Sequence, residues 1–114
     1  MNNIKRTVKE YCWALCDKKL DKVAEFLHDD VVSYGNWVPG LLKDNVVEAH
    51  KKLFEQFDNL QVLPLYTYFD EDTVACRFNV HENGANAYEL AVFITVDEQG
   101  LFKEIRTFKN CKGS

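Results

Sequence analysis

The sequence predicts an α+β fold in which a helical first half packs against a mainly antiparallel sheet built by the second half. Three observations carry that prediction. Apolar residues recur at helical spacing from Ile4 to about Lys18, from Leu20 to Leu27, and again up to Phe57. From Gln61 onward, runs rich in β-branched and aromatic residues alternate with turn residues. Two of those runs, TVACRFNVHE and AYELAVFITV, are joined through Asn83-Gly84-Ala85-Asn86. Asn-Gly between alternating runs is a strong hairpin signal, because both residues accept the positive φ of a tight primed turn.

Length and composition bound what such a fold can be. A chain of 114 residues is expected to form a single domain that buries about two thirds of its unfolded surface in one core. With 14 Lys and Arg against 18 Asp and Glu, scattered along the chain, the net charge is −4. No basic patch attracts a phosphate backbone, which disfavours nucleic-acid binding. No apolar run reaches the length of a membrane span, and the polar start MNNIKRTVKEY lacks the apolar core of a signal peptide. A cytoplasmic protein that does not engage membranes is expected. Cys12, Cys16, Cys76 and Cys111 could pair on paper, but a domain of this size with 46% apolar residues does not require disulfides, so reduced thiols are expected. Cys12 and Cys16 stand four apart on one helix, yet no second pair or suitably spaced histidine completes a tetrahedral metal set. A phosphate-binding glycine loop is missing as well, and no cofactor is expected.

In the first helix Ile4, Val8, Tyr11, Cys12 and Leu15 form one buried stripe, with Trp13 pointing away from it. The second helix turns Leu20, Val23, Ala24 and Leu27 inward and stops at His28-Asp29-Asp30. Val31 to Trp37 reads as a strand, followed by the turn Val38-Pro39-Gly40. Asp44 or Asn45 can cap a third helix running through Phe57, with Val46, Ala49, His50, Leu53 and Phe57 as its stripe. Gln61 to Phe69 is a strand in which Pro64 suggests an edge or a bulge. The hairpin follows the turn Asp70-Glu71-Asp72, and a last strand from Leu101 to Phe108 follows Asp97-Glu98-Gln99-Gly100.

Even connections in both hairpins, with either Asn83-Gly84 alone or all four residues as the first loop, fix what each strand shows to either side. Ala75, Arg77 and Asn79 then share a face with Tyr88, Leu90 and Val92, joined by Ile105 beside Val92 and Thr107 beside Leu90. The other face carries Val74, Cys76, Phe78, Val80, Ala91, Phe93, Phe102, Glu104, Arg106 and Phe108, with Arg106 diagonal to Glu89. A three-residue loop in the first hairpin would swap the faces and leave Arg77 in solvent. Both faces are largely apolar, so both should be covered. The patch of Val74, Cys76, Phe78, Phe93, Phe102 and Phe108 is expected to pair subunits as a homodimer.

Two helices, a strand, a third helix and then an antiparallel sheet, with an aspartate pair just before the first strand, resemble the nuclear transport factor 2-like superfamily. That group includes ketosteroid isomerases and SnoaL-like polyketide cyclases. The resemblance runs from EYCWAL and LDKVAEFLHDDVV through WVPG to AVFITVDEQGLFKEI. It implies a cone-shaped, cystatin-like roll, with three N-terminal helices packed in the concavity of a strongly curved mixed or antiparallel sheet. It also implies a deep apolar cavity open at one end and subunits paired through the convex face. Tyr11 falls where ketosteroid isomerases keep the tyrosine that donates to the developing enolate. Gly35 stands at the place of their aspartate base, and Val92 at that of their protonated oxyanion-hole aspartic acid. The cyclases commonly carry an acid at the place of Val92 and a histidine at that of Ile105. Without the base there is no proton shuttle of the isomerase kind.

Read from the residues themselves, the first face holds the candidate site. Arg77 facing a cavity would clamp a carboxylate or carbonyl, since a buried guanidinium requires an anion, a carboxylate or water. Asn79, Tyr88, Val92, Ile105 and Thr107 would line the walls, and Trp37 either walls the mouth or belongs to the core. His50, the one histidine on an apolar helical stripe, is either a general base or ligand donor, or a satisfied core residue. Tyr11 is either a donor to a ligand or plain packing with its hydroxyl satisfied. His28 and His81 lie at element ends, and Ser33 and Cys76 have no recognisable base, so nucleophilic catalysis has little support. The expected function is binding of a small, mostly hydrophobic molecule with a polar or anionic end. The domain is then an isomerase, cyclase or hydratase in which Arg77 or Tyr11 polarises a carbonyl and His50 moves a proton, or a binding module without turnover. A dimerisation domain with a collapsed cavity is the third reading.

Overall fold

Helix α1 (Ile4–Cys16) turns Val8, Tyr11, Cys12, Ala14 and Leu15 inward and leaves Trp13 63% exposed, as its apolar spacing predicts. The computed structural model describes residues 4–110, apart from the side chains at positions 66–67, 85–87 and 110; Cys111 lies outside the described residues. Helix α2 (Leu20–Glu25) is shorter than its sequence pattern suggests. The Phe26 carbonyl accepts a hydrogen bond from Phe102 N at 2.7 Å, and Leu27 already pairs with Phe102 in the sheet. The contact with a distant strand overrides the local helical spacing.

Strands β1 (Leu27–Tyr34) and β2 (Gly40–Leu41) come next, then helix α3 (Lys43–Gln56). Leu42 N donates to Val31 O at 2.8 Å, and a φ of 72° at Leu42 turns the chain into α3. The helix therefore begins before Asp44 and Asn45, and Asn45 Nδ2 donates back to the Leu41 carbonyl at 2.7 Å instead of capping. Strands β3 (Leu60–Asp70), β4 (Thr73–Glu82), β5 (Ala85–Val96) and β6 (Phe102–Asn110) complete the chain, giving one sheet ordered β2-β1-β6-β5-β4-β3. β1 runs parallel to β6 and the other pairings are antiparallel. The fold is α+β with an open, mixed sheet. The helices do not all precede it, since β1 and β2 lie between α2 and α3.

The edge strand β3 carries both devices that Pro64 suggested. Pro64 pairs with Phe78 and Tyr66 with Arg77, so Leu65 is left over as a bulge. Helix α1 covers the start of this edge, where Val62 N donates to Cys16 Sγ at 3.3 Å. Lys18 Nζ caps the Phe57 carbonyl at the same end. Cys12, Cys16 and Cys76 are free thiols.

The register of the central hairpin overturns the sequence-based faces. The turn is Asn83-Gly84 alone, the shorter of the two even loops, with Glu82 opposite Ala85 and positive φ at both turn residues. But His81 pairs with Asn86 and Val80 with Tyr88, so position 87 is an extra residue, and every pair beyond it is shifted by one. Arg77 now lies opposite Ala91 and Phe78 opposite Leu90. Val74, Cys76, Phe78 and Val80 therefore point inward with Tyr88, Leu90, Val92 and Ile94, all nearly inaccessible. Arg77 and Asn79 point outward, and the Arg77 guanidinium donates to Glu89 at 2.5 Å. A second bulge does the same for Phe102: Val96 pairs with Phe102 but Thr95 with Glu104, leaving Lys103 over and sending Phe102 into the core. Ile105 and Thr107 keep the inward face, opposite Ile94 and Val92 instead of Val92 and Leu90. Of the expected interface patch, only Phe93 and Phe108 lie outside, and Arg106 meets Glu104 at 3.0 Å instead of Glu89.

Candidate functional site

Tyr11 on α1 and His50 on α3 meet at the centre of the core, with the Tyr11 hydroxyl 2.7 Å from His50 Nε2. His50 Nδ1 lies 2.8 Å from the Val46 carbonyl four residues earlier. A carbonyl only accepts, so Nδ1 carries the ring proton, Nε2 is the acceptor, and Tyr11 donates to it. Both residues are at most 1% exposed. Burial lowers the His50 pKa to about 4, against an opposing contribution from the hydrogen bond to Val46. Burial, reinforced by the neighbouring Cys12 and Cys76, holds the Tyr11 hydroxyl far above its usual value. Aromatic edges close the space around the pair: Phe102 at 5.3 Å and Phe26 at 6.0 Å from the Tyr11 ring, with Phe54 at 6.4 Å from His50. Near neutral pH this is a neutral hydrogen-bonded pair with every proton assigned.

The wall beside it is formed by β1, β6 and β5. Ser33 pairs with Gly40 and with Ile105, and Thr107 pairs with Val92. Thr107 Oγ1 donates to the Tyr34 carbonyl at 3.2 Å, but the Ser33 hydroxyl, on a residue 5% exposed, has no hydrogen-bond partner among the described residues. Gly35 follows with φ +114°, and a Cβ there would stand 2.2 Å from the Thr107 carbonyl oxygen. This position, where the resemblance put the isomerases' aspartate, has no room for any side chain because β1 and β6 approach too closely.

At the end of the sheet opposite the β3–β4 and β5–β6 turns, four elements meet. Trp37 from the β1–β2 connection donates its Nε1 proton to the Tyr88 hydroxyl at 3.0 Å, and that hydroxyl donates to Glu82 Oε2 at 2.6 Å. Burial first, then the Glu82 hydrogen bond, pushes the Tyr88 hydroxyl up, while the Trp37 donor pulls the other way. Lys109 Nζ sits 4.3 Å from the Tyr88 ring centre. Outside Trp37 runs a groove of about 330 Å³ lined by Pro39, Asn45, Glu48, Lys52, Leu53 and Gln56.

The expected site thus divides. Tyr11, His50, Trp37, Tyr88, Val92, Ile105 and Thr107 all face the interior, whereas Arg77 and Asn79 lie on the outer surface. Among the described residues no group of three or more His, Cys, Asp or Glu could hold a metal ion.

A SnoaL-like domain model matches residues 8–105. The chain belongs to the SnoaL-like family. Solved structures share the fold of this SnoaL-like domain at low identity. A SnoaL-like protein of unknown function from Burkholderia thailandensis superposes with a TM-score of 0.83 at 11% identity, over 96% of this chain and 98% of its own. A provisionally assigned polyketide cyclase from Sinorhizobium meliloti gives 0.78 at 16%, over 95% of both chains. A provisionally assigned ketosteroid isomerase from Kribbella flavida gives 0.81 at 15%, over 97% of this chain and 80% of its own. The sequences of curated proteins contain no significant match. No helix among the described residues is long and apolar enough to cross a membrane.

Glu82 and Lys109 escaped the sequence reading. Glu82 carries the one usable signal, since a two-residue turn brings the end of β4 back against the start of β5. Lys109 and the orphaned Ser33 hydroxyl depend on contacts between β1, β5 and β6 that no local pattern encodes.

Proposed function

We propose that this SnoaL-like domain binds a small, mostly hydrophobic molecule bearing a polar group inside the cone, and does so without moving a proton through Tyr11 and His50. Ser33 carries the reading. Its unpartnered hydroxyl sits on the inner wall, and such a group costs about 1–3 kcal/mol unless something meets it. A ligand oxygen or nitrogen reaching Ser33 offsets that cost. The neighbours named as polyketide cyclase and ketosteroid isomerase fit this class, apolar skeletons with a few oxygens. Binding is favoured over turnover because His50 donates to Val46 and accepts from Tyr11, leaving no nitrogen for a substrate.

Native mass spectrometry followed by denaturing extraction tests this. An apolar molecule retained by the wild type and lost from Ser33→Ala supports the reading, and ligand-free Ser33→Ala should gain about 1 kcal/mol in urea unfolding. Equal retention by the variant excludes Ser33 as the anchor.

The outer face supports a second, compatible proposal, a homodimer. Tyr68, Ala75, Phe93, Arg106 and Tyr34 are successive ladder partners forming one row across the sheet. Phe108 meets Phe93 edge to face at 6.0 Å, and Tyr68, Phe108, Tyr34 and Phe93 are 75%, 57%, 48% and 40% exposed. The pair Arg77–Glu89 lies beside the row, and Arg106 within it pairs with Glu104. These four charges cancel, while the chain as a whole carries −4. Two copies repel least where this aromatic patch faces its equal.

A further inference from the structure

The outer face carries a pit beside its aromatic row. Arg77, Ala91 and Phe108 are successive ladder partners on β4, β5 and β6, one row along from Ala75, Phe93 and Arg106. The small side chain of Ala91 leaves a depression of about 290 Å³ between the two larger ones, lined also by Glu89, Leu90 and Lys109. Glu89 accepts from the Arg77 guanidinium and so holds it as one wall, while Phe108, packed edge to face on Phe93, stands as the other. A flat cation facing a phenyl ring across a methyl floor suits an aromatic ring, whose face attracts the guanidinium and whose carbons pack on the rest.

The same face offers such a ring. Tyr68 is 75% exposed, the most exposed of the four aromatic residues on this side. Phe93 and Phe108 pack on each other, and the Arg106 guanidinium lies 4.8 Å from the Tyr34 ring centre. Tyr68 stands on β3, two strands from Ala91 on β5, about 10 Å away across the sheet at ordinary strand spacing. Arg77 is on the strand between them, so Tyr68 does not fill the pit of its own chain. A two-fold axis lying in the interface midway between Tyr68 and Ala91 sets the tyrosine of one copy over the pit of the other, and does so twice.

We propose that Tyr68 of each copy inserts its ring into the Ala91 pit of the other, between Arg77 and Phe108, locking the homodimer by two identical contacts. The lock rests on the homodimer reading above and specifies which residues meet. A tyrosine is neutral, so the Arg77–Glu89 pair stays intact beneath it.

Native mass spectrometry over a dilution series tests the lock on the wild type, on Tyr68→Ala, which removes the ring, and on Ala91→Leu, which fills the pit. Both positions lie on the outer surface, Tyr68 exposed and Ala91 half-buried, and a cooperative urea transition in each variant shows that the fold is kept. Each variant alone should raise the dimer dissociation constant at least about tenfold. Mixing the two variants should restore association. The Tyr68 of the Ala91→Leu copy enters the open pit of the Tyr68→Ala copy, and at the second contact the filled pit meets no ring, so nothing clashes. The mixed dimer, told apart by its mass, should bind at least about tenfold more tightly than either variant with itself. Variant dimers as tight as the wild type, or a mixed dimer present only at its statistical share, overturn the lock and leave the homodimer standing. A mixture that stays monomeric beside a dimeric wild type overturns it too. A monomeric wild type overturns the homodimer, and the lock with it. If Ala91→Leu does not fold, Ala91→Val takes its place, because a strand accepts a β-branched residue.

Discussion

His50 accepts at Nε2 and donates at Nδ1, so its role is to tie α3 to α1, and that role has a pH signature. Its folded pKa of about 4 lies below the ordinary 6.5. Above pH 6.5 both folded and unfolded chains hold it neutral. Below that value the unfolded chain takes up a proton that the folded one refuses, so stability is lost as pH falls from 6.5 towards 4. The loss attributable to this residue is about 3 kcal/mol. Urea unfolding at pH 7 and 4.5 should show it in the wild type, and the double variant Tyr11→Phe, His50→Leu should lack that portion. Gly35 has an equally local prediction. Its φ of +114° and the Thr107 carbonyl at 2.2 Å from a Cβ mean that Gly35→Ala, and still more Gly35→Asp, should destabilise by about 2–4 kcal/mol. A Gly35→Asp protein with unchanged thermal stability would contradict the close approach of β1 and β6.

The hairpin of β4 and β5 shows what one residue does to an element. The extra residue at position 87 decides whether Phe78 or Arg77 faces the core. Deleting residue 87 would remove the bulge and leave the same pairs, so the face assignment is tested at Phe78 instead. Phe78→Arg would bury a guanidinium at a position 0% exposed, at a cost of several kcal/mol, so that variant should lose its cooperative urea transition. If it unfolds as the wild type does, the face assignment is wrong. The substitution Arg77→Ala, by contrast, removes only a half-exposed ion pair, and should change stability by less than about 1 kcal/mol. The turn itself was legible, because Asn-Gly states its backbone requirement locally. The bulge was not, because an alanine among polar and apolar neighbours carries no mark of being skipped. Helix α2 and the start of β1 were misread for a related reason, since Phe26 and Leu27 answer to Phe102.

For the whole molecule, the two proposals occupy opposite sides of one sheet, and they can be separated. Phe93→Glu together with Phe108→Glu places like charges on the outer patch. It should raise the dimer dissociation constant at least about tenfold, read by native mass spectrometry over a dilution series, while leaving retention of a bound apolar molecule unchanged. A dimer that survives both charges is paired elsewhere.

What the sequence by itself determined is the set of local preferences: three amphipathic stripes, a two-residue turn, an edge strand marked by Pro64, and an order of elements that resembles the SnoaL-like family. Each depends on residues within a turn or two of one another, and each survived folding except at the end of the second helix, where Leu27 joined β1. Only the tertiary structure decided which face of the hairpin is inside, that Tyr11 and His50 satisfy each other, and that Ser33 is left without a partner. Those outcomes depend on bulges and on pairings between β1, β5 and β6 that are far apart in the chain. A period-two pattern that is apolar on both faces is compatible with either side of the sheet, so packing had to choose.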